Sequence, residues 1–467
     1  MGHSKKTYKL KKKNDLSHSK KNFQDSIQAN IKTNSNKKTL SINIGIDFGT
    51  SYTKVCFSYI KDFSFVKFFD SNYKKSILFY DNNKKELLYS KPENSNNLEE
   101  IKYFKYSMID DSLPKSMDLQ ALNLQIKPEI LCSVFFLACL INESKASAEN
   151  YFSKSFSGDI NYEWNITMGV PIDNYEDDRL KKSLYDKILN IAYRLSNYIS
   201  SYNISINSLL KCYEDNINMI IPKVAESNIN TLPELYAESL AFLQDRNVSA
   251  GVYVLVDIGG GTVDMAVMYK EDAENYSIVS ERINPLGIEI ICNSVVRAKD
   301  FIDNVKKELK GESALSSSSY IYKEKEKELK EQFKQAFATI VVEARNKAEK
   351  ALLKQNGKLP IIICGGGVSH KWYKDGILNT KEQLRPTLGN IDIKLEIWPV
   401  QKLLPESKIV DINHRLLIAY ALAQRIEDIP HLAGFPWHFN KNNAIPAEDR
   451  DDLNSKLLTI QNEKYPK

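Results

Sequence analysis

The sequence predicts an α/β fold with an internal duplication, on three observations in its 467 residues. From Leu40 to Phe57, Ile42, Ile44 and Ile46 alternate, Asp47-Phe48-Gly49-Thr50-Ser51 breaks the run, and Thr53, Val55 and Phe57 resume it. That is the pattern of two strands joined by a tight turn. About 210 residues later the layout returns, with strands over Val252 to Tyr269 turning at Asp257-Ile258-Gly259-Gly260-Gly261-Thr262. A buried strand, Pro360 to Cys364, then opens into Gly365-Gly366-Gly367.

The intervening elements follow in order. Residues 65–125 are mixed and polar, and Glu129 to Tyr151 has helical periodicity. Trp164 to Val170 reads as a strand stopped by Pro171, and Asp177 to Tyr202 as a helix. A Lys/Glu-rich helical region spans Arg297 to Lys354 with a break at Ser316 to Ser319, and a last amphipathic helix covers roughly His414 to Ile426. The expected division is a Lys-rich leader over 1–40, a first unit over 41–250 with a subdomain near 65–125, a second over 251–428 with a helical subdomain near 297–340, and a tail over 429–467.

Composition fits this plan. With 42% hydrophobic, 10% aromatic and 26% charged residues, the chain can fill cores and is neither fibrous nor wholly disordered. The leader holds eleven lysines and two aspartates, a net of +9 where the whole chain has +5, so residues 41–467 carry −4. The basic balance therefore belongs to the leader, which reads as disordered; it suggests weak attraction to nucleic acid, an acidic partner or a membrane surface, and no interleaved aromatics support base stacking. The six cysteines form no CxxC pair and sit mostly in apolar runs, the usage of a reducing compartment. The most apolar segment, Ile130 to Ile141, is short for a bilayer and reads as a buried helix. With no secretory signal pattern, a cytoplasmic protein without a membrane span is the expectation.

The turns carry the chemistry. Glycine lets backbone N–H groups approach phosphate oxygens, and the hydroxyls of Thr50, Ser51 and Thr262 add donors. Asp47 and Asp257, each at a strand end, suit a hydrated Mg²⁺, which touches protein through only one or two carboxylates. Asp264 follows in the second hairpin as an acid to orient water or metal, or as a strand-edge partner of a lysine.

The three glycine clusters in this order resemble the phosphate 1, phosphate 2 and adenosine motifs of the actin and heat-shock-chaperone ATPase superfamily. GIDFGTSYT at 45–53 and VDIGGGTVDMAV at 256–267 look closest to the ATPase domain of the seventy-kilodalton heat-shock chaperones. The resemblance covers about 41–428 and implies two lobes, each a ribonuclease-H-like mixed sheet flanked by helices, with ATP or ADP and Mg²⁺ in the cleft between them. It implies nucleotide contacts from Gly49, Thr50, Ser51, Tyr52, Gly259, Gly260, Gly261, Thr262, Gly287, Gly365, Gly366 and Gly367, and metal contacts, through water, from Asp47 and Asp257. Phe104-Lys105-Tyr106 resembles the segment presenting the family's catalytic lysine, and Pro233 to Leu243 its connecting helix, with Glu234 the matching acid. Glu238 lies one turn further on the same helical face, so either acid could face the metal. Catalytic roles thus fall to Lys105, Glu234, Asp264 and Asp47. Pro171 and Arg179 resemble the pair that relays nucleotide state.

The chain departs from the family in four places. Leu235 replaces a proline, Gly287 is the one glycine kept of a pair, and Val368-Ser369-His370 lacks an arginine. Only about forty residues follow the last helix, too few for a substrate-binding sandwich, and they include the aromatic segment His431 to Phe439. The resemblance therefore implies a slow Mg-dependent ATPase whose nucleotide state is read by separate partner proteins, co-chaperone-like or client. An actin-like filament protein and a small-molecule kinase of the same superfamily are the alternatives.

Overall fold

The computed structural model describes residues 38–69, 71–93, 97–110, 113–156, 159–172, 179–199, 201–217, 228–243, 248–272, 276–295, 305–307, 310, 320–354, 358–388, 392–396 and 415–424. The leader up to residue 37, the aromatic segment and the tail lie outside them.

The fold is α/β, with mixed and antiparallel sheets flanked by helices. The first sheet is built on β1 (Lys38–Asp47), which starts three residues before the expected boundary at 41. β1 pairs antiparallel with β2 (Tyr52–Tyr59), and β2 in turn with β3 (Asp62–Phe65) and with the short β4 (Lys74–Lys75). On its other side β1 runs parallel to β8 (Ile160–Val170), and β8 parallel to β10 (Ile229–Pro233). The order is β10-β8-β1-β2-β3.

The second sheet repeats this arrangement. β11 (Gly251–Ile258) pairs antiparallel with β12 (Val263–Lys270), which pairs antiparallel with β13 (Tyr276–Asn284). β14 (Lys358–Cys364) and β15 (Asp392–Glu396) extend the other side in parallel. The order, β13-β12-β11-β14-β15, and the strand directions match those of the first sheet. Duplication therefore reaches the topology, beyond the two similar turns.

Chain connectivity explains the mixture of directions, because a tight turn makes an antiparallel pair whereas a parallel neighbour needs a crossover. Helix α3 (Pro128–Phe152) lies between β3 and β8, and α4 (Arg179–Ser196) and α5 (Ile206–Ile217) between β8 and β10. The short α1 (Phe104–Ser107) and α2 (Met117–Gln120) precede α3, and α6 (Glu234–Leu243) follows β10 directly. In the second half α7 (Ile288–Val295) and α8 (Tyr320–Lys354) precede β14, and α9 (Lys371–Leu388) precedes β15. Helix α10 (Leu417–Leu422) is the described part of the last expected helix.

The polar segment after β4 forms a small antiparallel sheet of β5 (Leu78–Asp81), β6 (Glu86–Leu88), β7 (Glu99–Ile101) and β9 (Asn203–Ser205), so its fourth strand comes from far outside 65–125.

Three cores hold these layers. Leu40, Ile42, Ile44 and Ile46 pack with α3 and α4, and the second sheet packs against Phe333, Phe337 and Ile340 of α8. The third core joins the sheets through α6 and α10, which bury Leu235, Leu240, Leu417 and Leu422 together with Leu255 and Met268. Helix α3 is longer than its apolar run suggested. Its 25 residues are long and apolar enough to cross a membrane, but 78% of its most apolar stretch is buried inside the protein, where a helix apolar on all sides belongs.

Candidate functional site

Pairing register decides what stands beside each turn. In the first hairpin Asp47 lies opposite Lys54, whose Nζ reaches Asp47 Oδ2 at 2.7 Å. In the second, the equivalent position opposite Asp257 is Asp264. One hairpin thus carries an ion pair where the other carries two acids, and like charges directly opposite are unfavourable. Asp264 lies on the second strand of an interior pair, not at an edge, and its Oδ1 has no hydrogen-bond partner.

The two turns touch. A Cβ placed on Gly260 would fall 2.5 Å from Ser51 Oγ, and one on Gly261 would fall 3.0 Å from Thr50 Oγ1 and 2.5 Å from the Tyr106 ring. Each turn is also braced from behind. Ser76 Oγ donates to the Gly49 carbonyl and its N–H to the Ser51 carbonyl, while Gly259 N–H donates to the Thr262 carbonyl. The N–H groups at the start of α7 are spent on the glycine turn, since Gly287, Ile288 and Glu289 donate to Gly261, Gly259 and Gly260. Gly287 lies against the backbone of Gly260 and Gly261, too close for any side chain.

The carboxylate of Glu289 spans this contact. Ser51 Oγ donates to its Oε1 at 3.4 Å, Tyr103 Oη to its Oε2 at 2.9 Å, and Lys306 Nζ pairs with Oε1 at 2.8 Å.

Lys105 is no surface lysine. It is 5% exposed, and its Nζ lies 2.6 Å from Glu234 Oε1 and 5.7 Å from the centre of the Phe48 ring. Glu234 opens α6, where a negative charge meets the positive end of the helix. Glu238, one turn on, is 1% exposed, and its carboxyl meets no donor stronger than the Cys364 thiol. Neither glutamate is a solvated helix acid. They divide the space: Glu234 faces Lys105, and Glu238 faces Asp257 and Cys364.

The third glycine cluster arrives through β14, whose register places Cys364 beside Asp257. Gly365 follows at φ +79°, a left-handed conformation open to glycine, and a Cβ there would fall 1.9 Å from Asp257 Oδ1. Gly367 donates to the Ile258 carbonyl, whereas Gly366 has open space where a side chain would project. Its carbonyl accepts from Arg415, so an arginine reaches this loop from a distant segment. His370 is buried, and burial first, then Lys310 and Arg415, lower it to about 4, which keeps it neutral.

Five buried acids, Asp47, Glu234, Glu238, Asp257 and Asp264, and the cations of Lys54 and Lys105 thus gather beneath the turns. Burial is the main cause raising Asp257 to about 7, with Asp47 and Glu234 adding to it against the pull of Lys54 and Lys105. Burial and then Asp257 raise Asp264 and Glu238 well above the carboxylate range. For Lys54 burial works against the charge, but Asp47, Asp257 and Glu234 outweigh it and hold the ammonium above its ordinary value. Poorly paired buried oxygens on Asp257, Asp264 and Glu238 are a donor set that fits a divalent cation.

Of the residues expected from sequence, Asp47, Thr50, Ser51, Lys105, Glu234, Asp257, Gly259 to Thr262, Asp264, Gly287 and Gly365 to Gly367 come together. Tyr52 is exposed at the start of β2. Pro171 is half-buried after β8, and Arg179 opens α4 with its side chain outside the described residues. Lys54, Tyr103, Glu289, Cys364 and Arg415 were not anticipated. Lys54 could have been, because it follows Asp47 by the same seven positions that separate Asp264 from Asp257.

Fold and site define an α/β chain in which two sheets of equal topology bring their first hairpins into contact over a buried acidic cluster. No family model matches the chain, and no curated protein is similar to it.

Proposed function

We propose that this chain is a Mg-dependent ATPase of the heat-shock-chaperone type, with two ribonuclease-H-like lobes and nucleotide in the cleft between them, acting as a conformational switch for partner proteins. The observation that carries the reading is the duplicated sheet order with both first turns meeting above buried acids and Lys105. Repeated topology and facing glycine turns are what a clamp on one polyphosphate requires.

In this reading ATP supplies a γ-phosphoryl group activated for transfer to water. Asp47 and Asp257 hold hydrated Mg²⁺, while Thr50, Ser51, Thr262 and the N–H groups of the turns donate to phosphate oxygens. Glu234 fixes the Lys105 ammonium, which neutralises charge developing on the phosphoryl oxygens. Asp264 orients the attacking water and accepts its proton when ionised, the state that a cation at the neighbouring Asp257 would favour. Because the turns touch, admitting phosphates requires them to part, and the bonds that must yield are those of Ser51 and Tyr103 to Glu289. Nucleotide entry and a change in how the hairpins meet are then one event, the basis of a switch.

The test is steady-state ATP turnover with Mg²⁺ for the native chain and Asp257→Ala, over a wide range of protein concentration, with parallel centrifugation. Expected are turnover by soluble native protein and a loss of about a hundredfold or more in the variant. Neither binding nor turnover by the native chain refutes the reading, and ATP-dependent pelleting replaces it with a filament protein.

A further inference from the structure

The acids on the far side of Asp257 are more than the proposed Mg²⁺ reading uses. Glu238, Asp257 and Cys364 offer two carboxylate oxygens and a thiol sulfur that all lie within 4.8 Å of one another, all three residues buried. Different elements converge here: α6 supplies Glu238, and the parallel pairing of β11 with β14 sets Asp257 beside Cys364. Poorly paired buried oxygens mark the point as unfinished without a ligand. Oδ1 of Asp257 lacks a hydrogen-bond partner, and the Glu238 carboxyl meets only the weak Cys364 thiol among the described residues, though such groups are costly to bury so poorly paired. Gly365, in its left-handed turn, lets Asp257 Oδ1 lie where a side chain would otherwise stand, so the loop packs directly on that oxygen. The thiol makes a long 3.7 Å contact with the Val256 carbonyl and hydrogen-bonds to Glu238, so sulfur and carboxylate already face one another.

We propose that Glu238, Asp257 and Cys364 bind a thiophilic divalent cation, with zinc the type case. Two hard oxygens and one soft sulfur suit zinc or cobalt, whereas magnesium and manganese favour oxygen ligands. Zinc bonds of about 2.1 Å to oxygen and about 2.3 Å to sulfur place tetrahedral ligand atoms about 3.5 Å apart, so no pair of the trio need draw in by more than about 1.3 Å. Coordination replaces the S–H bond of Cys364 by a metal–sulfur bond and releases the proton to solvent. A bound cation also neutralises the acids that burial leaves uncompensated, and it ties α6 to the second sheet. Glu238 and Cys364 do this whether or not the turns above bind ATP, so the inference stands or falls separately from the proposed ATPase activity.

The test uses the full chain, stripped of metal by a chelator and without nucleotide, titrated with cobalt(II) as a spectroscopic stand-in. A near-ultraviolet thiolate-to-cobalt charge-transfer band should rise and saturate at one equivalent, survive excess Mg²⁺, and be lost in Cys364→Ser while persisting in Cys212→Ser. Should Cys364→Ser fail to fold, Glu238→Gln keeps the thiol and is expected to weaken cobalt binding at least about tenfold. The proposal is overturned if no band forms, if excess magnesium abolishes it, if it persists in Cys364→Ser, or if Glu238→Gln binds cobalt as tightly as the native chain.

Discussion

Replacing Lys105 by methionine tests the buried pair on which the site turns. Lys105→Met deletes the ammonium 2.6 Å from Glu234, in a place where the two side chains are only 5% and 10% exposed and water cannot substitute for it. The carboxyl then escapes an unpaired charge by taking up a proton. Burial already raises Glu234, and Lys105 is the largest influence lowering it, so the variant moves it further up. A folded-state value above the unfolded one gives stability that is full below the unfolded value, about 4.3, and lost as pH rises through the folded value. The loss accrues at about 1.36 kcal/mol per pH unit, reaching about 3.7 kcal/mol at pH 7 and about 1 kcal/mol at pH 5 for a group held neutral throughout. The native chain already bears part of this, so the variant is expected to be about 2–4 kcal/mol less stable than native at pH 7 and about 1 kcal/mol or less at pH 5. Urea unfolding followed by circular dichroism, in chelator-containing buffer at both pH values, measures the difference. A loss of equal size at pH 5 and pH 7, or none at pH 7, would refute the assignment of Glu234 as a buried acid dependent on Lys105.

Three further outcomes follow from the same geometry. Gly365→Ala forces an L side chain to φ +79° and sets its Cβ 1.9 Å from Asp257 Oδ1, so it should cost more than about 1–2 kcal/mol and weaken Mg²⁺ binding; thermal unfolding and calorimetric titration read both. Glu289→Gln removes the charge facing the part-exposed Lys306 and weakens the bridge to Ser51 and Tyr103; global stability should fall by less than about 1 kcal/mol, while amide exchange over 48–51 and 259–262 quickens. Magnesium should raise the melting temperature more at pH 8 than at pH 6. Asp257, raised to about 7, is ionised at the higher pH, where the metal-free fold has lost stability, and protons compete with the metal at the lower.

The sequence made the skeleton of this site legible because hairpin signals are local. Alternating isoleucines and a glycine turn specify two strands and their register, and Asp47 and Asp257 appear where the patterns at 40–57 and 252–269 put them. The small sheet was hidden because Asn203–Ser205 pairs with Glu86–Leu88 across more than a hundred residues, and no window of periodicity sees that. Helix α9 escaped because Gly376, Asn379 and Pro386 lower helical propensity, yet Trp372, Tyr373 and Ile377 are buried against Phe333 and neighbouring core residues and override it. Arg415 and Glu289 reach the site through tertiary contacts alone, and Lys105 looked like one lysine among many because burial cannot be read from a Lys/Tyr-rich stretch.

The difference between the two hairpins explains why the acids remain. Lys54 settles Asp47, whereas its counterpart Asp264 adds a charge beside Asp257, and Glu238 adds another from below. Raising Asp257 to about 7 costs about 1.36 kcal/mol for each unit above its ordinary value, roughly 4 kcal/mol in all at pH 7 and above. Asp264 and Glu238, raised in the same direction by burial, add to that cost. A cation that binds among them relieves that cost only while the second hairpin, α6 and β14 stay together. Occupancy of the cluster and closure of the elements around it are thus thermodynamically linked, and any ligand that brings positive charge to Asp257 must tighten the contact between α6 and the second sheet.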